Sequence, residues 1–102
     1  MSTQKDPVVI VGMARTPMGG LLGDLASFSA NELGAHAIQA AMEDAGLKGE
    51  DVQEVIMGNC LPAGQGQAPA RQSAIKSDLG KHTEATTINK MCGSIFSKAL
   101  QR

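Results

Sequence analysis

Cys60 and Cys92 are the two thiols in the sequence. Cys92 sits in Met91-Cys92-Gly93-Ser94, just past the β-prone run Ala85-Thr86-Thr87-Ile88-Asn89 and at the expected start of a helix. A helix N-terminus presents unpaired N–H groups and partial positive charge, and both stabilise a thiolate. A strand–turn–helix elbow also brings its side chain to the carboxyl edge of a sheet, where α/β proteins place their ligands. That is a setting for nucleophilic catalysis. From position alone, the commoner reading is a buried or incidental thiol.

The other candidates are weaker. Cys60, in Gly58-Asn59-Cys60-Leu61-Pro62, reads as a small buried residue at a strand end. His36 falls on the polar face of a helix, and His82 in a polar loop. Neither has a Cys or acidic partner at metal-ligand spacing, so no metal site is expected. Nothing in the sequence places either histidine beside Cys92 as a base. Gly64-Gln65-Gly66 imitates the opening of a dinucleotide-binding loop, but Pro69 stands where the third glycine belongs. The reading is a flexible loop feeding a helix. Arg15, Arg71 and Lys76 are possible phosphate contacts, although such residues are more often solvated or paired with carboxylates. The methionines are scattered gap-fillers.

The elements that must position these residues follow from the pattern. Val8-Val9-Ile10-Val11-Gly12 is a β-branched run that suits a strand buried on both faces. Ala14 to Gly20 reads as a loop. Ser29-Ala30-Asn31-Glu32 has the form of a capping box and opens a helix. Gly34, Ala37, Ile38, Ala41, Met42 and Ala45 form its apolar stripe, and Gly46 is its left-handed stop. A second strand fits Val52 to Gly58. A second helix covers Pro69 to Leu79, with Pro69 in its first turn. A third strand spans Ala85 to Asn89, and a third helix starts near Cys92. The order strand, helix, strand, helix, strand, helix predicts an α/β fold with a mostly parallel sheet flanked by helices.

Composition sets the bounds. The chain has 102 residues, with nine Lys plus Arg against ten Asp plus Glu, for a net charge of -1. That balance argues against a dedicated binder of nucleic acid or anionic membrane. Two Phe, no Tyr and no Trp, against twelve Gly, leave little material for a core. A domain this small has a thin burial margin, so the residues look built to pack against something else. Two lone thiols and no targeting segment make the cytoplasm the expected compartment.

Four stretches together resemble the N-terminal part of thiolases, the acyl-CoA C-acyltransferases. They are Val8-Val9-Ile10-Val11 through Ala14-Arg15-Thr16-Pro17; Val55-Ile56-Met57-Gly58-Asn59; Gly64-Gln65-Gly66-Gln67-Ala68-Pro69-Ala70-Arg71-Gln72; and Ile88-Asn89-Lys90-Met91-Cys92-Gly93-Ser94. The last two are the most specific. The resemblance identifies residues 1–102 as a partial N-terminal thiolase domain, with the pattern intact to about residue 94 and divergent over 95–102.

The resemblance implies that Cys92 is the nucleophile that accepts the acyl group from an acyl-CoA thioester. It implies a backbone N–H of Cys92 on the oxyanion, coenzyme A thioesters as substrates, no further cofactor, and a homo-oligomer in the full-length family. The segment around Arg71 and the strand before Cys92 resemble parts used for subunit contacts. Two features depart from the family. Ile95-Phe96-Ser97 stand before Lys98-Ala99-Leu100, where the family runs Gly, an aliphatic residue, a basic residue and Ala. The 102 residues also lack the family's Asn-Glu-Ala-Phe segment, its Gly-His-Pro histidine and its second cysteine. The expectation is an isolated chain that is marginally folded and inactive. The alternative is a non-catalytic remnant or an association partner of a full-length thiolase.

Overall fold

The computed structural model describes residues 7–94. In chain order these form α1 (Ala30–Ala45), a short 3-10 turn (Gly49–Asp51), β1 (Glu54–Gly58), α2 (Pro69–Lys76) and β2 (Glu84–Ile88). β1 and β2 pair in parallel, in a register running from Glu54↔Glu84 to Gly58↔Ile88. A parallel pair needs a crossover, and α2 supplies it. This is the expected α/β architecture at its smallest.

α1 begins where its capping box dictates. The Glu32 N–H donates to Ser29 Oγ at 3.2 Å, and the Ser29 N–H donates to the Glu32 carboxylate at 3.1 Å. The helix stops at Gly46, whose φ of 70° is left-handed, and the Leu47 N–H then reaches back to the Met42 carbonyl. α2 has no side-chain cap of its own. Instead the Ala70 N–H donates to Thr87 Oγ1 on β2 at 3.0 Å, so the sheet satisfies a donor that the helix start leaves open. α2 ends at Lys76, three residues before the expected Leu79. Asp78 turns left-handed, the Leu79 N–H bonds the Ala74 carbonyl, and the Leu79 side chain drops into the core.

The core is Val55, Ala74 and Leu79, with Ile38, Met42, Val52 and Met57 packed around it. Gly34 lets α1 approach α2 closely, because a Cβ there would lie 2.8 Å from Ser73 Oγ. Several of the most buried side chains are hydroxyls. Ser73 donates to the Asn31 carbonyl, and Thr83 donates to the Val52 carbonyl at 2.8 Å. A core short of aromatics is thus held partly by hydrogen bonds. The radius of gyration, 14.7 Å, exceeds the value of about 13 Å for a compact chain of this length.

One expectation is corrected. Val8–Val11 joins no sheet. These four residues are 60–83% exposed. A strand of this kind needs cover on both faces, and the helices within the described residues pack elsewhere. Its far end is tied to α1 instead. The Met13 N–H donates to the Asp44 carboxylate at 3.1 Å, and Gly12 lies against the Ala41 carbonyl too closely for a Cβ. The expected third helix has its first helical residue at Ser94. Its remainder, with the departure at Ile95–Ser97, lies outside the described residues. No described helix is long and apolar enough to cross a membrane.

Candidate active site

The segment 89–94 turns the chain from β2 toward the helix that opens at Ser94, and Cys92 sits on that turn. Asn89 starts it: its Oδ1 accepts the Met91 N–H at 3.1 Å. This two-residue side-chain turn is a local conformation that Asn favours. Met91 is then left-handed, with a φ of 51°. A non-glycine residue in that region costs about 1–2 kcal/mol, so the turn needs bonds to hold it. Ser94 provides them. Its Oγ accepts the Lys90 N–H at 2.9 Å and donates to the Met91 carbonyl at 2.9 Å. The Gly93 N–H also closes on the Lys90 carbonyl. Ser94 is 5% exposed, whereas Cys92 is exposed and unpaired. The elbow is therefore anchored by the buried Ser94 and presents its thiol to solvent.

A second loop, residues 59–67, flanks the elbow at the same end of the sheet. The Asn59 N–H extends the ladder to the Ile88 carbonyl. Asn59 Nδ2 donates to Gln65 Oε1, and Gln65 Nε2 donates to the Leu61 carbonyl. Asn31 and Gln72 both donate to the Gln65 carbonyl, and Asn31 also donates to Gln72 Oε1 at 2.7 Å. The sequence suggested a flexible loop here, and this carboxamide network corrects it. Gly64 and Gly66 are both left-handed, which explains the glycines without a nucleotide.

Two further expectations change. Cys60 is exposed, not buried, because the chain has already left the sheet at Gly58. Arg71 is half-buried and turned inward: its guanidinium donates to the Thr83 carbonyl at 2.6 Å and the Lys81 carbonyl at 2.9 Å. It braces the entry to β2. Lys76 is exposed, as is Arg15, which borders a largely apolar cleft of about 370 Å³ with Leu25, Phe28, Leu33 and His36.

No base stands at the elbow among the described residues. His82 lies with Glu54 and Glu84 at the amino ends of the strands, opposite Cys92. His36 is on the outer face of α1, edge-on to Phe28. No group of three or more His, Cys, Asp or Glu within the described residues is placed to hold a metal. The arrangement thus offers an exposed thiol with no base beside it among the described residues.

Sequence reasoning missed Asn31, Asn59, Gln65 and Gln72 as a network. Asn31 lies 34 and 41 positions from its partners Gln65 and Gln72, and the closer spacing of Asn59, Gln65 and Gln72 carries no recognisable signal.

Comparison with known proteins points to one family. The family description "Thiolase, N-terminal domain" matches residues 8–100. The chain is 59% identical over 87 residues to an acetyl-CoA acetyltransferase of Cupriavidus necator, covering 85% of this chain and 22% of that protein. It is 54% identical over 87 residues to the mitochondrial acetyl-CoA acetyltransferase of Xenopus tropicalis, covering 85% and 21%. Similar relatives also include an acetyl-CoA acetyltransferase of Gibberella zeae named as cytosolic. Among solved structures, an acetyl-CoA acetyltransferase from Syntrophomonas wolfei superposes with a TM-score of 0.82 at 39% identity, covering 91% of this chain and 24% of that one. The Acat5 thiolase of Ascaris suum, solved with coenzyme A, also gives 0.82 at 36% identity, covering 90% and 26%. The chain spans about a fifth of the length of the curated relatives it matches. With its family model matched over nearly its whole length and its fold shared with solved members, the chain belongs to the thiolase family.

Proposed function

We propose that residues 1–102 are part of an N-terminal thiolase domain and that Cys92 is the acyl acceptor of an acyl-CoA C-acyltransferase. The observation that carries the reading is the exposed Cys92 thiol on a hydrogen-bonded strand–turn–helix elbow, within the segment that matches the family. In the first step Cys92 Sγ, having lost its proton to a base, attacks the thioester carbonyl carbon. The bond to coenzyme A breaks, and the departing thiolate takes up a proton. The acyl group is held as an enzyme thioester, and one hard transfer becomes two easier ones. In the second step the acyl group passes to the coenzyme A thiol, or to the carbanion of an acetyl-CoA to give a 3-ketoacyl-CoA. Donors on the developing oxyanion, the Cys92 N–H among them, lower both barriers.

The described residues supply the nucleophile and its scaffold, and no base stands at the elbow among them. The proposal is therefore that residues 1–102 alone do not turn over, and that transfer needs the base, the second thiol and the coenzyme A site of a complete enzyme. The alternative, a non-catalytic association partner, rests on Ile95 standing where the family has glycine. The free thiols suit a reducing compartment, and the cytoplasm is the one proposed. The test is a chimaera in which residues 8–94 replace the matching segment of the Cupriavidus necator relative. The reading expects acetyl transfer by the chimaera and a loss of about 1000-fold or more in Cys92→Ser. A folded chimaera that transfers equally well with Cys92→Ser overturns it.

A further inference from the structure

The carboxamide of Asn89 is used from both ends. Its Oδ1 accepts the Met91 N–H at 3.1 Å inside the elbow, and its Nδ2 donates to the Cys60 carbonyl at 3.5 Å across the end of the sheet. Cys60 lies in the 59–67 loop, whose position is fixed by Asn31, Asn59, Gln65 and Gln72. Among the described residues the elbow is otherwise hydrogen-bonded to itself, through Ser94 and the Lys90 carbonyl. Asn89 is thus the side chain that links the carboxamide network to the turn that carries the thiol.

We infer that Asn89 is a positioning residue for Cys92: it couples the 59–67 loop to the elbow, so that the loop's order sets the presentation of the thiol. Asn suits the role because one planar group accepts at one end and donates at the other. Asp keeps the acceptor and loses the donor. Ser keeps the two-residue turn and is too short to reach Cys60. A disturbance at Gln65, whose side chain ties Asn59 to Leu61, should travel to Cys92 only while Asn89 is present. The role this gives Asn89 in acyl transfer rests on Cys92 being the acceptor, but the coupling can be read without it.

The experiment measures alkylation of Cys92 by iodoacetamide in the 102-residue chain. A Cys60→Ala background leaves one thiol and keeps the Cys60 carbonyl. Gln65→Ala is placed in that background alone, with Asn89→Ala and with Asn89→Ser. Circular dichroism confirms the fold of each protein, and the Ser series carries the test if Asn89→Ala does not fold. Residues in one hydrogen-bond network couple by a factor of about two or more. The expected result is a change of that size in the Cys92 rate for Gln65→Ala when Asn89 is present, and no change in either Asn89 variant. Asn89→Ser should also lie nearer the parent rate than Asn89→Ala, a rescue that generalised loosening does not give. An equal Gln65→Ala effect in every background, or none in any, overturns the coupling. Failure of the chimaera would overturn the acyl-acceptor reading and leave the coupling standing.

Discussion

Gly58→Ala tests whether the elbow is docked on the sheet. Gly58 ends β1, and its backbone lies against the buried side of Ser94. A Cβ built on Gly58 would sit 2.8 Å from Ser94 Cβ and 3.5 Å from Ser94 Oγ. The closer atom is the one that cannot swing away, because a Cβ moves only with its backbone. Relief therefore requires β1 or the elbow to shift. Overpacking of this kind costs about 1–3 kcal/mol. Replacing glycine also restricts the unfolded chain, which returns about 0.4–1 kcal/mol. The steric cost wins, and a net loss of about 1 kcal/mol is expected. With a urea slope of about 1–3 kcal/mol per molar, the midpoint should fall by about 0.5 M. Gly20→Ala is the control. Nothing lies within 4 Å of its added Cβ, and its φ is not positive, so the variant should be neutral or slightly more stable. The Cys92 alkylation rate should change in Gly58→Ala and not in Gly20→Ala. A Gly58→Ala chain as stable as its parent, with an unchanged Cys92 rate, would refute the packing of the elbow on β1.

Other parts of the scaffold are open to the same treatment. Arg71→Lys removes a planar fork that bonds two carbonyls at once, and a loss of about 1.5–3 kcal/mol is expected in denaturant unfolding. Thr83→Val keeps the shape but removes the donor to the Val52 carbonyl, and should cost about 1 kcal/mol by the same measurement. Ile10→Lys changes a residue that is 83% exposed, so the unfolding free energy should stay within about 0.5 kcal/mol of the parent; a large loss would place Val8–Val11 in a core.

How much was legible depended on whether the determinant was local. Ser29 with Glu32, and Gly46, announce α1 because a cap is made by residues a few positions apart. Cys92 was legible as an elbow residue because strand, turn and helix follow one another directly in the chain. Val8–Val11 misled because a β-branched run reports strand propensity and not whether a neighbour exists to pair with. Cys60 misled for a related reason: burial at a strand end depends on where the chain turns next. The bonds of Asn31 to Gln65 and Gln72 join residues 34 and 41 positions apart, and no pattern along the chain reports them. The missing aromatics were informative after all, since the core leans on Ser73, Thr83 and close helix contact at Gly34.

The central claim is that Cys92 carries the acyl group. The direct measurement is to trap the chimaera of residues 8–94 with acetyl-CoA and map the acetyl group by peptide mass. Trypsin cuts after Arg71 and Lys90, which puts Cys60 and Cys92 on separate peptides. The account expects one acetyl group on the Cys92 peptide, removable by hydroxylamine and absent from Cys92→Ser. An acetyl group found on Cys60, or retained in the Cys92→Ser protein, would contradict it.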